Sequence, residues 1–445
     1  MNWNQLLSDK RGKDQKKSNL EGTRSAFEQD YDRVIFSHPF RRLQDKTQVH
    51  PLPENDFVHT RLTHSLEVSS VGRSLGKKVG KAILERNSEL AKNFDLHDFG
   101  GIVAAASLAH DIGNPPFGHS GEDAISEFFS SGQGMRYKSL VNDLEWTDLT
   151  NFEGNAQGFR ILNKDRYQGL RLTHATLAAF SKYPRQSIIE KCDPNRRSQK
   201  KYGFFQSERH IFASIAETVG LIPFEDYSWS RHPLAFLVEA ADDICYNLID
   251  LEDGCRLGLV TYEEAIELFS DILRDRFKPD KLKLIDSKNE QISTLRAIAI
   301  GILADECTQL FLDNESALMN GKFDTAFTDL IPSSGVLNQI VRLSIDKIYR
   351  STGVLETEIA GFEVLPGLLD IFTNAVIKKY VEDDANSRDK SALRLMPSEV
   401  LTELDQMDKK PYHLLMNTVD FVSGLTDRHA ISLFRKIKGI SLPNG

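Results

Sequence analysis

The stretch GIVAAASLAHDI at residues 101–112 decides the fold. Up to Ala109 its residues are small or apolar, with Ser107 the only hydroxyl. A helix that is apolar on all sides belongs inside a core, not on a surface. The segment then ends in His110 and Asp111, an imidazole and a carboxylate at the tip of a greasy helix. Burying such groups costs on the order of several kcal/mol unless they pair or bind a metal. Neighbouring side chains on a helix diverge by roughly 100°, yet at a helix end two neighbours can converge on one ion. The GNPP at 113–116 must stop the helix, because proline cannot continue the hydrogen-bond ladder.

Outward from this point the pattern stays helical. A new helix is expected from Ser120, with Ser120 and Asp123 at capping-box spacing. Upstream, Leu62, Leu66, Val71, Leu75, Val79 and Ile83 recur every four or five residues and lay an apolar stripe along a long helix. Downstream, LAFLVEAADDICYNLID at 234–250 reads as a second buried helix. Within it Asp242 is the buried acid, and Asp243 is expected to face water. Further helical patterns cover about 262–275, 290–318, 336–350, 366–382 and 411–436. Residues 130–150 and 181–203 read as loops. The second carries Lys182, Arg185, Lys191, Arg196, Arg197, Lys200 and Lys201. It is expected to be solvated, with a polyphosphate or nucleic-acid contact as the alternative. Strand signals are few, with a short hairpin expected near 200–206. The fold expected is all-α, one large helical domain around a central bundle. A polar N-terminal arm covers 1–30, the core 31–260, and a C-terminal helical part at 261–445 completes the same globule.

The formal net charge of −9 weighs against a dedicated nucleic-acid binder but leaves room for a local basic pocket. Cys192, Cys245, Cys255 and Cys307 form no C-x-x-C pair, so a disulfide scaffold or zinc ribbon is not expected. The opening MNWNQLLSDKR has no apolar signal region. No stretch approaches the roughly 18 uninterrupted apolar residues of a membrane span. A soluble, cytoplasmic protein that does not enter a membrane is expected.

A metal at His110 and Asp111 needs more ligands. His64 precedes an apolar helix, and Asp242 stands among alanines. Singly, His64 reads as a helix-start residue and Asp242 as a salt-bridge partner; together with His110 and Asp111 they read as a metal site. Imidazole and carboxylate donors suit Mn, Fe, Ni, Co, Zn or Mg, and no nearby Cys imposes zinc. Asp242, Tyr246 and Asp250 recur at i, i+4 and i+8 and so project from one helix face.

The order His64, His110-Asp111, Asp242 resembles the HD-domain phosphohydrolases, and more closely the bacterial deoxyguanosine triphosphate triphosphohydrolases. The segments that carry the resemblance are FRRLQDKTQV at 40–49, TRLTHSLEV at 60–68, AHDIGNPPFGHSGE at 109–122, NFEGNAQGFRIL at 151–162, EAADDICYNLIDLEDG at 239–254 and DFVSGLTDRHA at 420–430. It implies an HD-type metal-binding helical core. A divalent ion (Mn, Mg, Fe, Ni or Co) would be held by His64, His110, Asp111 and Asp242. It also implies hydrolysis of a dNTP, with dGTP leading, to a deoxynucleoside and tripolyphosphate. His119 and Glu122 match the family's residues beyond the metal. Three apart on one turn, they can touch. A carboxylate bonded to one ring nitrogen makes the other more basic, and His119 would then serve as general acid or proton relay to the leaving oxygen.

Gln48 matches the glutamine at the 3′-hydroxyl. Tyr246 and Asp250 match residues near the sugar and phosphates, and Tyr246 would crowd a 2′-hydroxyl. A triphosphate needs cations. Arg61 is the first candidate, because arginine gives planar bidentate contacts, and Arg41, Arg42 and Lys46 follow. Asn114 is a donor to the α-phosphate. The resemblance further implies a homo-oligomer, often a hexamer, and a dNTP or single-stranded DNA effector. His59 stands where relatives have Arg, and Phe421, Leu425 and His429 where they have Tyr, Met and Tyr, which bears on base preference and effector response. One rival is another HD phosphohydrolase, a 5′-nucleotidase or cyclic-nucleotide phosphodiesterase, which would not need FRRLQDKTQV or NFEGNAQGFRIL. The other is a non-catalytic nucleotide-binding regulator, which expects lost ligands.

Overall fold

The computed structural model describes residues 1–12, 24–47, 59–164, 169–189 and 192–441. Among these the chain is helical apart from one antiparallel hairpin, Pro223–Glu225 with Ser228–Trp229. The hairpin expected near 200–206 does not form. Tyr202, Phe204 and Phe205 turn inward there instead.

The central contact joins the helices Arg61–Arg86 and Leu96–Ala109. Asp95 caps the second with its carboxylate on the amides of His97 and Asp98. The face of this helix that carries Phe99, Gly100, Val103 and Ser107 is matched by Gly72, Gly76 and Gly80 on its partner. A Cβ on Gly76 would sit 2.6 Å from the Phe99 carbonyl oxygen, and one on Gly80 2.7 Å from the Phe99 ring. The two backbones approach as closely as small residues permit, and Ile102 to Ala109 are buried. The helix Ala235–Arg256 lies across Arg61–Arg86 and also packs on Lys288–Asp313.

Two buried apolar clusters result. The first runs from Trp3 to Ile348 and contains Leu75, Phe99, Ile112 and Ala241. The second runs from Phe117 to Ala430 and joins the helices Gly118–Ser130, Thr352–Ile377 and Pro411–Ser423. The turn at 110–117 crosses from one to the other.

Several expectations change. Of the arm expected at 1–30, residues 1–12 pack onto the fold of this chain: Leu6 and Leu7 are buried, and the Trp3 indole donates to Glu315 at 3.0 Å. The stretch 130–150 is not a loop. It holds the 3-10 segment Gln133–Leu140 and the helix Asp143–Thr150, which Asn142 caps reciprocally with Glu145. The helix after the proline pair starts at Gly118, with no cap from Ser120. Phe117 precedes it in the left-handed region at φ 65°, a strain of about 1–3 kcal/mol. Its N–H donates to Asp427 at 3.1 Å, which helps hold that conformation. The helix Thr352–Ile377 begins well before the expected 366 and runs through Pro366. With its continuation to Glu382 it is the one described helix long and apolar enough to cross a membrane, at mean hydropathy 1.4, and half of that window is buried in the fold.

Candidate metal centre

His64 lies in the first turn of Arg61–Arg86, and His110 and Asp111 follow the end of Leu96–Ala109. Donor atoms of these three all lie within 4.8 Å of one another. Asp242 completes the group from Ala235–Arg256. Its Oδ1 is 3.3 Å from His64 Nε2 and 3.4 Å from His110 Nε2. His110 Nδ1 lies 2.7 Å from the Ser107 carbonyl oxygen. A carbonyl only accepts, so Nδ1 carries the proton and the Nε2 lone pair faces the carboxylates. That is the orientation a metal-ligating histidine takes. Two imidazole nitrogens and two carboxylates that converge this closely fit a divalent cation of the Zn, Mn, Fe, Co, Ni or Mg group.

Asp111 is gripped from both sides. Arg61 Nη1 donates to its Oδ2 at 2.9 Å, and Asn114 Nδ2 donates to Oδ1. Arg61 Nε is buried and has no hydrogen-bond partner among the described residues. Burial opposes the charge of Asp242, but Lys182, His110 and His64 outweigh it and hold the carboxyl well below its usual range. Lys182 Nζ is 3.0 Å from Asp242 Oδ2.

Among its described residues, the basic run 181–203 is only partly solvated: Lys200 is exposed, Lys191 lies outside the described residues, and other basic side chains fold onto acids. Lys182 meets Asp242, Arg197 meets Glu239 at 2.8 Å, and Lys201 meets Glu153 at 3.1 Å and Glu122 at 3.5 Å. Asp243 does not simply face water either: it is half-buried, and its Oδ2 accepts from Thr328 at 2.6 Å.

His119 and Glu122 share the first turns of Gly118–Ser130, but no hydrogen bond joins them among the described residues. Glu122 Oε1 accepts the Gly154 N–H at 2.8 Å, and Oε2 faces Lys201. These two partners, a backbone N–H and a lysine ammonium, engage both carboxylate oxygens and leave none bonded to the imidazole. Burial and the neighbouring Glu153 push Glu122 up to about 7. Burial, Lys201 and Arg61 push His119 down, so the ring is held neutral. The Gly154 N–H belongs to the helix Gly154–Asn163, which presses on the turn after Asp111. A Cβ on Gly113 would lie 2.0 Å from the Gly154 carbonyl oxygen.

Tyr246 and Asp250 follow Asp242 along one face. Asp250 accepts from the Tyr349 hydroxyl at 2.6 Å, and the Tyr246 and Tyr349 rings lie 5.8 Å apart. Burial pushes Asp250 up to about 7, with the Tyr349 hydrogen bond opposing. His59 is clasped by Asp253 at 2.8 Å and Glu67 at 3.3 Å. Burial works against its charge, but these hydrogen bonds raise it to about 10. Gln48 lies outside the described residues. Residues that pattern reading missed are Glu153, Tyr349 and Asp427; Lys182 and Lys201 were read within the basic run, without their acidic partners. Glu153 lies within NFEGNAQGFRIL and Asp427 within DFVSGLTDRHA, so both segments already flagged them.

Histidines and aspartates on helices around one point define an HD domain. The HD-domain family model matches residues 61–140, which contain His64, His110, Asp111, His119 and Glu122. Over its whole length the chain is similar to curated proteins. A deoxyguanosinetriphosphate triphosphohydrolase-like protein of Synechocystis sp. is 43% identical over 99% of this chain and 100% of its own. One of Pseudomonas aeruginosa is 38% identical over 100% of both chains. The deoxyguanosinetriphosphate triphosphohydrolase of Klebsiella pneumoniae is 29% identical over 93% of this chain and 94% of its own. The chain belongs to the deoxyguanosinetriphosphate triphosphohydrolase-like family of HD-domain, metal-dependent phosphohydrolases.

Proposed function

We propose that this protein is a metal-dependent triphosphohydrolase that converts a deoxynucleoside triphosphate, dGTP first, and water into the deoxynucleoside and tripolyphosphate. The observation that carries the proposal is the convergence of His64, His110, Asp111 and Asp242, with Arg61 paired to Asp111 and Lys182 to Asp242. The names of the relatives support the substrate class.

His64, His110, Asp111 and Asp242 would hold the ion, of the Mn, Mg, Fe, Ni or Co class. When bound it supplies Lewis-acid polarisation of a phosphoryl oxygen. The chain's own residues do the rest. Arg61 and Lys182, each paired with a ligand carboxylate, and Lys201 beside Glu122 bind the triphosphate, Arg61 through its free Nε edge. Asn114 fixes Asp111 with one amide hydrogen and donates the other to the α-phosphate. Water bonds to the α-phosphorus, the bond from that phosphorus to the 5′ oxygen breaks, and the 5′ oxygen takes up a proton. His119, held neutral, accepts a proton at a ring nitrogen and passes it on. Glu122 acts through the Gly154 N–H and Lys201 to keep the local field steady around His119.

Tyr246 lies under the deoxyribose and crowds a 2′-hydroxyl. Asp250, set by Tyr349, and Gln48 bond the sugar hydroxyls. A site built to bond a hydroxyl discriminates strongly against its loss. The enzyme acts in the cytoplasm as a homo-oligomer, of the hexameric kind, with a dNTP or single-stranded DNA as effector. The test is each dNTP with Mn or Mg, followed by product analysis. Tripolyphosphate and nucleoside support the reading; dNMP and pyrophosphate overturn it.

A further inference from the structure

Lys182 and Lys201 stand on one strap of chain. It runs from the end of the helix His174–Phe180 to the start of the helix Arg209–Val219. Among its described residues the only helix is the 3-10 turn Arg197–Gln199. No regular element lies under either lysine, so discrete ties must set their positions.

The strap is tied at three places. Its first limb bridges to the hairpin at Arg185 and Ser228. Its middle meets Asp324, which accepts the Ser198 N–H at 3.2 Å and the Ser198 hydroxyl at 2.6 Å. The third tie is Asp148, and it takes both limbs at once. Asp148 is fully buried in the last turn of the helix Asp143–Thr150. Its Oδ1 accepts the Ser187 hydroxyl at 2.6 Å. Its Oδ2 accepts the Gln206 N–H at 2.7 Å and the Tyr412 hydroxyl at 2.6 Å. Ser187 and Gln206 each stand five positions after a lysine, Lys182 and Lys201.

The chain that follows Asp148 holds the surroundings of the second lysine. The Asn151 carbonyl accepts the Tyr202 hydroxyl at 2.6 Å, Glu153 faces Lys201, and the Gly154 N–H donates to Glu122. One short stretch, DLTNFEG at 148–154, thus grips the strap and carries or bonds the acids that Lys201 meets.

The joint needs a carboxylate. An ionised aspartate only accepts, and here its two oxygens take three donors. An asparagine of the same shape has one accepting oxygen and turns an NH₂ toward a donor. Slack in the joint reaches the lysines. Two cations fixed in advance at the right spacing bind a polyphosphate without the cost of ordering them on arrival.

We infer that Asp148 is a positioning residue for the triphosphate: by closing the strap it sets Lys182 and Lys201 at the spacing that a polyphosphate chain needs. The inference rests on the reading of those lysines as phosphate-binding, and not on which phosphorus bond is cut.

The test is calorimetric titration of inorganic tripolyphosphate, with magnesium in excess, into the full-length protein, with metal content measured on each sample. Asp148→Asn breaks the joint at constant volume. Ser187→Ala removes one strap contact. Tyr412→Phe removes the one donor on Asp148 that does not belong to the strap, and Lys201→Met removes a lysine outright. Asp148→Asn should weaken tripolyphosphate about tenfold or more, the usual effect of a lost charged hydrogen bond, with bound metal at the wild-type level. Ser187→Ala should fall between wild type and Asp148→Asn, and Tyr412→Phe should stay within about twofold of wild type. In a dNTP assay Asp148→Asn should raise KM more than it lowers kcat, as a loss of ground-state binding does. Wild-type affinity in Asp148→Asn overturns the inference while Lys201→Met still weakens binding. Equal weakening in Asp148→Asn and Tyr412→Phe, or loss of metal in step with affinity, also overturns it, because the joint then serves only the fold. Wild-type affinity in Lys201→Met removes the reading of the lysines and the inference with it. If Asp148→Asn fails to fold, Ser187→Ala decides: weaker binding with full metal supports the inference, and unchanged binding overturns it.

Discussion

The two sides of the seam between the clusters hold their functional groups in different ways. On the first side, His64, His110, Asp111 and Asp242 sit on or at the ends of long buried helices. Gly72, Gly76 and Gly80 set the separation of two of those helices. On the second side, Glu122 and Glu153 meet Lys201, which comes from an irregular segment and is held there by its charge. The proposed ligand geometry thus rests on backbone packing, whereas the proposed proton and phosphate handling rests on electrostatic balance. The first should respond to mutation as a unit; the second should be tunable.

The largest effect is expected on the ligand side. Asp111→Ala should lose both bound metal and turnover, measured by elemental analysis and a dNTP assay on one sample. A metal-loaded, active variant breaks the ligand assignment. Across the seam, His119→Ala should keep its metal while kcat falls by about 10²–10⁴-fold, the usual range for a lost general acid or base. Equal loss of metal in the two variants would erase the distinction between the sides.

Lys201→Met should be milder. Loss of a charged hydrogen bond costs about 1.5–3 kcal/mol, or roughly 10- to 100-fold in kcat/KM. The sign of its pH effect is fixed. Lys201 lowers the pKa of both His119 and Glu122. Without it both rise, and the acid limb of the kcat/KM profile moves to higher pH. An unmoved limb separates phosphate binding from control of His119.

Two stability tests follow. Gly113→Ala drives a Cβ into the backbone of Gly154 and Gly158 and should cost about 1–3 kcal/mol or more, read by urea denaturation. Thr328→Val removes only the hydrogen bond to Asp243. It should cost about 1 kcal/mol with turnover intact.

The difference between the sides also explains what the sequence made legible. His110 and Asp111 stood out because polarity at the end of an apolar helix has few physical excuses. Asp242 stood out for the same reason. Lys182 and Lys201 did not, because a run of basic residues looks the same in sequence whether it is solvated or folded onto acids. Their partners lie far along the chain, at Asp242, Glu122 and Glu153. Asp243 was misread because its partner, Thr328, lies equally far away. The helix start at Gly118 was hidden because Phe117 adopts a left-handed conformation that Asp427 helps hold from the other end of the chain. The segment 130–150 misled through its Ser, Gly and Asp content, when Asn142 was in fact a helix cap.

The central claim is tested most directly by incubating the metal-loaded protein with dGTP and identifying the phosphorus products by NMR. The account predicts tripolyphosphate and deoxyguanosine, absent in Asp111→Ala. Pyrophosphate with dGMP, or phosphate with dGDP, would contradict it.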